Sequence, residues 1–360
     1  MKSDIPRILK LLLLAGLLGV CFLDYGAYRE SWLHNADAHS VASPSTPSGF
    51  GEAPGVYRVA IIWLADRMDR HLHIGPHRCF ALIDTASLLL AAMLLLKLLE
   101  RTAIYRNANR QLQWFGATAF VLLFQFYLAW LLFLQRAETL PTALFLALAL
   151  WLWQLNPSPN STVRNTAIAS ALLAIAFLQS FVRADVPCML NAGIFLAACT
   201  SLGKRLSLPR SLAIATSLFS TLIAAGVQLY LAKVVFPHAN YGRVKMWQLR
   251  PNFIHGLRWI PFLLFMLPLL WMAFQITRRK FTTDAPGVAF LAGAAAYTAL
   301  WFTIGKIDEV RIFIPFALAL APLTVEIAMF HAASSLAASS TFDQPTVNAE
   351  APPPHAKIAL

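Results

Sequence analysis

Charge is scarce in this chain. Asp, Glu, Lys and Arg make up 13% of its 360 residues, where a soluble domain carries about 25%, so most of the polypeptide cannot face water. Cysteine is nearly absent: Cys21, Cys79, Cys188 and Cys199 are the four. None shows CxxC or metal-ligand spacing, and all lie in or beside apolar runs, which reads as buried free thiols. Nothing matches a Walker loop, a dinucleotide-binding turn or an HExxH helix, so the functions those motifs carry have no support. Acidic charge is the scarcer sign, 17 residues against 29 basic ones for a net +12. The basic residues sit in short segments between apolar runs. They read as topology determinants and phosphate contacts, and no nucleic acid partner is expected.

What fills the chain is apolar, with 58% hydrophobic residues and a mean hydropathy of +0.60. A bilayer core takes about 20 apolar residues per helix. The runs 8–27, 79–99, 114–134, 139–155, 166–181, 188–202, 211–236, 259–276, 287–305 and 312–330 qualify, the fifth and sixth being short. The expected fold class is all-α: a polytopic membrane helical bundle of about ten transmembrane helices. Residues 1–331 form that bundle and 332–360 a disordered cytoplasmic tail. Lys2, Arg7 and Lys10 ahead of the first run also fit a signal peptide. No clear small-x-small cleavage site follows, so the run is read as an uncleaved helix.

The positive-inside tendency orients the chain. The basic amino terminus, Lys97 to Arg110, Lys204 to Arg210 and Arg278 to Lys280 fall on one side of a ten-span layout. That side is then cytoplasmic, with both termini inside a bacterial inner (plasma) membrane. The other face receives most of the acidic residues and nearly half of the basic ones, and those outside cations need another reason. Within the extracytoplasmic loop 28–78, residues 41–55 are Ser-, Pro- and Gly-rich and read as a linker. Residues 57–72 carry Ile61, Leu64, Ala65, Met68 and Leu72 at helical spacing, the pattern of an amphipathic helix lying in the membrane interface. Small residues in the ninth run, Ala289, Gly293, Ala294 and Ala295, predict close helix packing.

The candidate site gathers on that outer face. Lys306, Asp308, Glu309 and Arg311 sit between two apolar runs with almost no loop, and charge pinned at the mouth of membrane helices marks a functional site by default. Arg183 and Asp185 link two further runs, Arg58 opens the interfacial helix, and Arg243 and Lys245 lie in the late loop. Each has a plainer reading. Arg58 suits a lipid headgroup, Arg183 and Asp185 can satisfy one another, and the 306–311 cluster can be a latch between helices. Taken together, guanidinium and ammonium groups at a membrane edge suit a lipid phosphate. A carboxylate beside them can take a proton from an attacking hydroxyl. His71, His73 and His77 give no fixed face for a metal; no cofactor is implied by the residues, and a divalent metal is left open.

One membrane-entering helix, a first outer loop with an acidic residue near its start and an interfacial helix, then a bundle: this layout resembles the GT-C glycosyltransferase superfamily. Tyr57-Arg58-Val59, Arg183-Ala184-Asp185 and Glu309-Val310-Arg311-Ile312-Phe313-Ile314-Pro315 are similar to motifs of small bacterial multi-pass proteins related to it. The resemblance implies sugar transfer from a polyprenyl-phosphate-linked donor, with membrane lipids as the other partners. Asp24 or Asp37 would then be the catalytic base. Arg58, Arg183, Asp185, Arg243, Lys245, Lys306, Glu309 and Arg311 would line the substrate site. Where many members carry a close acidic pair, Asp24 is followed by Tyr25. The rival expectations are a transporter or flippase of a lipid-linked or anionic substrate, and a polysaccharide polymerase or ligase.

Overall fold

The computed structural model describes residues 57–131, 138–155, 161–239, 247–278 and 285–342, with 15, 16 and 19. Among the described residues the chain is helical throughout, with no strand. In chain order the α-helices are α1 Val59–Leu72, α2 Pro76–Arg101, α3 Ala103–Asn107, α4 Arg110–Ala129, α5 Thr139–Trp153, α6 Thr162–Arg183 and α7 Asp185–Cys199. They continue with α8 Arg210–Tyr230, α9 Leu249–Ile254, α10 Trp259–Thr277, α11 Ala285–Ile304, α12 Ile314–Ala319 and α13 Ala321–Phe342.

Six described helices are long and apolar enough to cross a membrane: Arg78–Arg101, Arg110–Ala129, Thr162–Arg183, Arg210–Val235, Gly256–Thr277 and Ala285–Ile304. A seventh candidate is a pair of pieces, Val310–Ala319 and Ala321–Ser335, bent by 62°. Thr139–Trp153 and Asp185–Cys199 are apolar but shorter. The fifth apolar run, expected to be short, is part of the 22-residue α6, while residues 8–27 lie outside the described set apart from 15, 16 and 19. The tail expected from Ala332 begins as helix, since α13 continues to Phe342; beyond it the chain lies outside the described residues. Leu90, Leu122, Leu178, Phe219, Leu222 and Leu267 are exposed along the long helices, as expected of helices that face lipid.

Prolines set two breaks that matter for the site. A proline ring clashes with the carbonyl four residues before it and lacks the N–H that would bond there. Pro187 stands four residues after Arg183, so α6 ends at Arg183 and α7 starts afresh at Asp185. Pro322 has the same relation to Leu318, and the chain bends between α12 and α13 at Leu320. In both cases the proline lies in the first turn of the new helix, where its missing N–H would have no intrahelical partner anyway.

Packing follows the small residues. Helices α7 and α11 are in extensive contact, and a Cβ placed on Gly193 would run into the backbone N of Gly293 and the carbonyl O of Ala289, the latter at 2.6 Å. Close backbone approach through glycine and alanine is how helices associate where lipid is as apolar as leucine. The aromatic side chains Phe265, Tyr297, Phe313 and Phe316 fill the interior, with Tyr297 and Phe316 ring centroids 5.0 Å apart. Helix α1 packs against the start of α2 and the end of α6: Ile61 and Ala65 are buried with Cys79, Phe80 and Ile83 of α2 and Val182 of α6. Its expected apolar face is only partly covered, because Leu64 and Leu72 are exposed.

Candidate functional site

Arg183 closes α6 and Asp185 opens α7, so each sits where its helix favours its charge, a cation at a C-terminus and an anion at an N-terminus. The break leaves one residue between them and brings the side chains together. Arg183 Nε donates to Asp185 Oδ1 at 3.1 Å and Oδ2 at 3.3 Å, and Nη2 donates to Oδ2 at 3.2 Å. The guanidinium side chain is 5% exposed. From α11 the Trp301 indole Nε1 donates to the same Oδ2 at 3.0 Å. The Arg183 guanidinium also lies 5.6 Å from the Tyr297 ring centre and 5.4 Å from that of Trp301, within cation–π range.

A second ion pair stands beside the first. Arg58, just ahead of α1, meets Glu138, just ahead of α5, at 2.7 Å, and the Glu138 side chain is 6% exposed. The pairs are electrostatically coupled, with Glu138 acting on Arg183 and Arg58 on Asp185. A buried charge is tolerated only where it is paired and hydrogen-bonded. Four charges from the ends of α1, α5, α6 and α7, packed against two aromatics of α11, therefore form one unit. The structure brings together Arg58, Arg183 and Asp185 from the sequence candidates and adds Glu138, Tyr297 and Trp301.

The 306–311 segment leaves the same end of α11, and Phe313 just beyond it meets Tyr297 at 6.1 Å. Its shape is set by Asn252 of α9, a fully buried amide that uses both its donors and its acceptor. Asn252 Nδ2 donates to the carbonyls of Phe302 at 2.8 Å and Gly305 at 2.7 Å. Its Oδ1 accepts from Arg258 Nη1 at 3.1 Å and from the Ile307 backbone N at 3.4 Å. Arg258 also approaches Asp308, at 3.8 Å. Arg311 Nη2 donates to Glu309 at 2.8 Å, and Lys306 is exposed. The cluster is thus partly a latch, clipped to α9, and partly a short ion pair facing the same end of the bundle as Arg183. Asp24, Asp37, Arg243 and Lys245 lie outside the described residues.

Asp84 is fully buried on α2. Glu138 carried one visible signal, an acid directly ahead of an apolar run. Trp301 carried none, since an aromatic near a span end is ordinary at a membrane interface. No known family profile, characterised protein or solved structure matches the chain.

Proposed function

We propose that this chain is a GT-C-like glycosyltransferase that takes its sugar from a polyprenyl-phosphate donor at the outer face of a bacterial inner membrane. The observation that supports this most is the convergence of Arg58, Glu138, Arg183 and Asp185 against Tyr297 and Trp301. In this reading about ten helices cross the bilayer, with residues 8–27, α5, α7 and the bent last pair among them. Helix α1 lies in the interface, and both termini are cytoplasmic.

The roles divide by chemistry. Asp185 and Glu138 already have their oxygens committed to guanidinium groups, so they serve to hold Arg183 and Arg58 in place. The base is then Asp24 or Asp37 of the first loop. It removes the proton from the acceptor hydroxyl as that oxygen forms its bond to the sugar anomeric carbon. The bond from that carbon to the lipid phosphate oxygen breaks, and the departing phosphate takes the electron pair. Its charge is stabilised by the guanidinium and ammonium groups of Arg58, Arg183, Lys306 and Arg311, with Arg243 and Lys245 as further contacts. The partly exposed Trp301 suits the sugar ring or the first isoprene units, with the buried Tyr297 packed behind the site.

Purified protein given polyprenyl-phosphate sugars should transfer sugar to acceptor. Arg311→Ala and Asp24→Asn should each lower turnover by about 10²–10³-fold, the range seen when one charge-stabilising group is removed. Unchanged turnover in both would remove them from the mechanism. Transport of a lipid-linked anion is the second reading, favoured by the cavity at the other end of α5, α6 and α11 and by the bend at Leu320. A polymerase or ligase would use the same outer cations, and the acceptor specificity of the assay separates it.

A further inference from the structure

The helices that carry the Arg183 site also build a cavity at their other ends. It has a volume of about 620 Å³, within the roughly 300–1,000 Å³ typical of small-molecule sites. Its wall takes Arg101 and Arg106 from the end of α2 and from α3, Gln154 after α5, Arg164 from the first turn of α6, and Gly287 from the first turn of α11. Leu320, Pro322 and Glu326 close it, at the bend between α12 and α13. Arg164 and Arg183 are nineteen residues apart on one helix, so the two sites lie roughly 28 Å apart along α6.

Basic residues at helix ends are common in membrane proteins. Three features set these apart. They come from three separate helices and line one partly open cavity. Arg101 is held by stacking, its guanidinium 3.7 Å from the Trp151 ring centre, and it forms no ion pair among the described residues. Arg106 and Arg164 form no ion pair among the described residues. The bend adds to this, because the start of α13 borders the cavity through Leu320, Pro322 and Leu323, and a helix N-terminus favours negative charge. Among the described lining residues Glu326 is the one carboxylate against three arginines, so they keep a net positive charge and a hydrogen-bond acceptor beside their donors.

We infer that this cavity is a binding site for a phosphate-bearing anion, distinct from the site around Arg183. Planar guanidinium groups match phosphate oxygens in pairs, and an apolar wall of Leu98, Leu150 and Leu323 suits whatever the phosphate is attached to. The same chemistry is offered by a soluble phosphate and by the headgroup of a membrane lipid. The site stands whether or not the outer end transfers sugar.

The test uses the full-length protein in phosphatidylcholine nanodiscs, titrated calorimetrically with inorganic phosphate and with pyrophosphate. A parallel arm measures thermal stability in nanodiscs containing phosphatidic acid. Saturable binding in the first arm assigns a soluble anion, and stabilisation in the second alone assigns a lipid headgroup; either supports the site. Arg106→Ala and Arg164→Ala should each weaken the response about tenfold or more, as the loss of a hydrogen bond to a charged group does. Arg205→Ala, on an exposed residue away from the cavity, should leave it unchanged. Both arginines are exposed, so the variants should fold, which size-exclusion profiles check. No response in either arm, or a wild-type response from both arginine variants, overturns the proposal.

Discussion

Asp185 is the residue on which the ion-pair site turns. It accepts from Arg183 and from Trp301 at once, so its removal leaves a nearly buried guanidinium with no carboxylate partner. Asp185→Ala should cost about 3 kcal/mol, the range for breaking a buried ion pair from one side. Replacing the pair together, Arg183→Met with Asp185→Leu, should recover most of that stability while abolishing any phosphate-dependent activity. Thermal unfolding in detergent measures both. A double variant no more stable than Asp185→Ala would show that the pair is itself needed for packing. At this scale the sequence was partly legible. Arg183 and Asp185 stood out because two charges between apolar runs have nowhere to go but one another or a ligand. Glu138 and Trp301 did not, because their partners lie 80 or more residues away, and nothing local announces a partner at that distance.

The elements were easier to read than their ends. Apolar length located the helices, and the small residues of the ninth run located its contact. Which helix would meet that face was not legible, since lipid and protein reward the same apolar surface; Gly193 on α7 supplies the answer. Gly193→Val should therefore destabilise the protein by about 2 kcal/mol or more through overpacking, with no change in helix content by circular dichroism. Gly226 on α8 has open space where a Cβ would stand. There Gly226→Ala should be neutral or stabilise by roughly 0.5–1 kcal/mol. If both variants unfold at the wild-type temperature, α7 and α11 do not approach at Gly193. The prolines show the other limit. Pro187 and Pro322 are visible as helix breakers, but one break juxtaposes two charges and the other turns a helix start onto a cavity. Only the packing of the surrounding helices decides which.

At the scale of the molecule the architecture is two-ended. Helices α5, α6 and α11 each carry part of the ion-pair site at one end and part of the cationic cavity at the other. Helix α6, 22 residues long, spans about 33 Å, close to the hydrocarbon thickness of a bilayer. The two ends should therefore open to opposite sides of the membrane. Single cysteines read this directly. In a background where Cys21, Cys79, Cys188 and Cys199 are replaced by serine or alanine, Lys306→Cys and Arg164→Cys place one exposed thiol at each end. In intact cells a membrane-impermeant maleimide should label Lys306→Cys, and should label Arg164→Cys only after the membrane is permeabilised. The reverse pattern would keep the two-ended bundle but invert it, placing the Arg183 site on the inside and removing the outward-facing transferase reading. Labelling of both from one side would mean that α6 does not cross the bilayer, and the division of the molecule into two faces would fall with it.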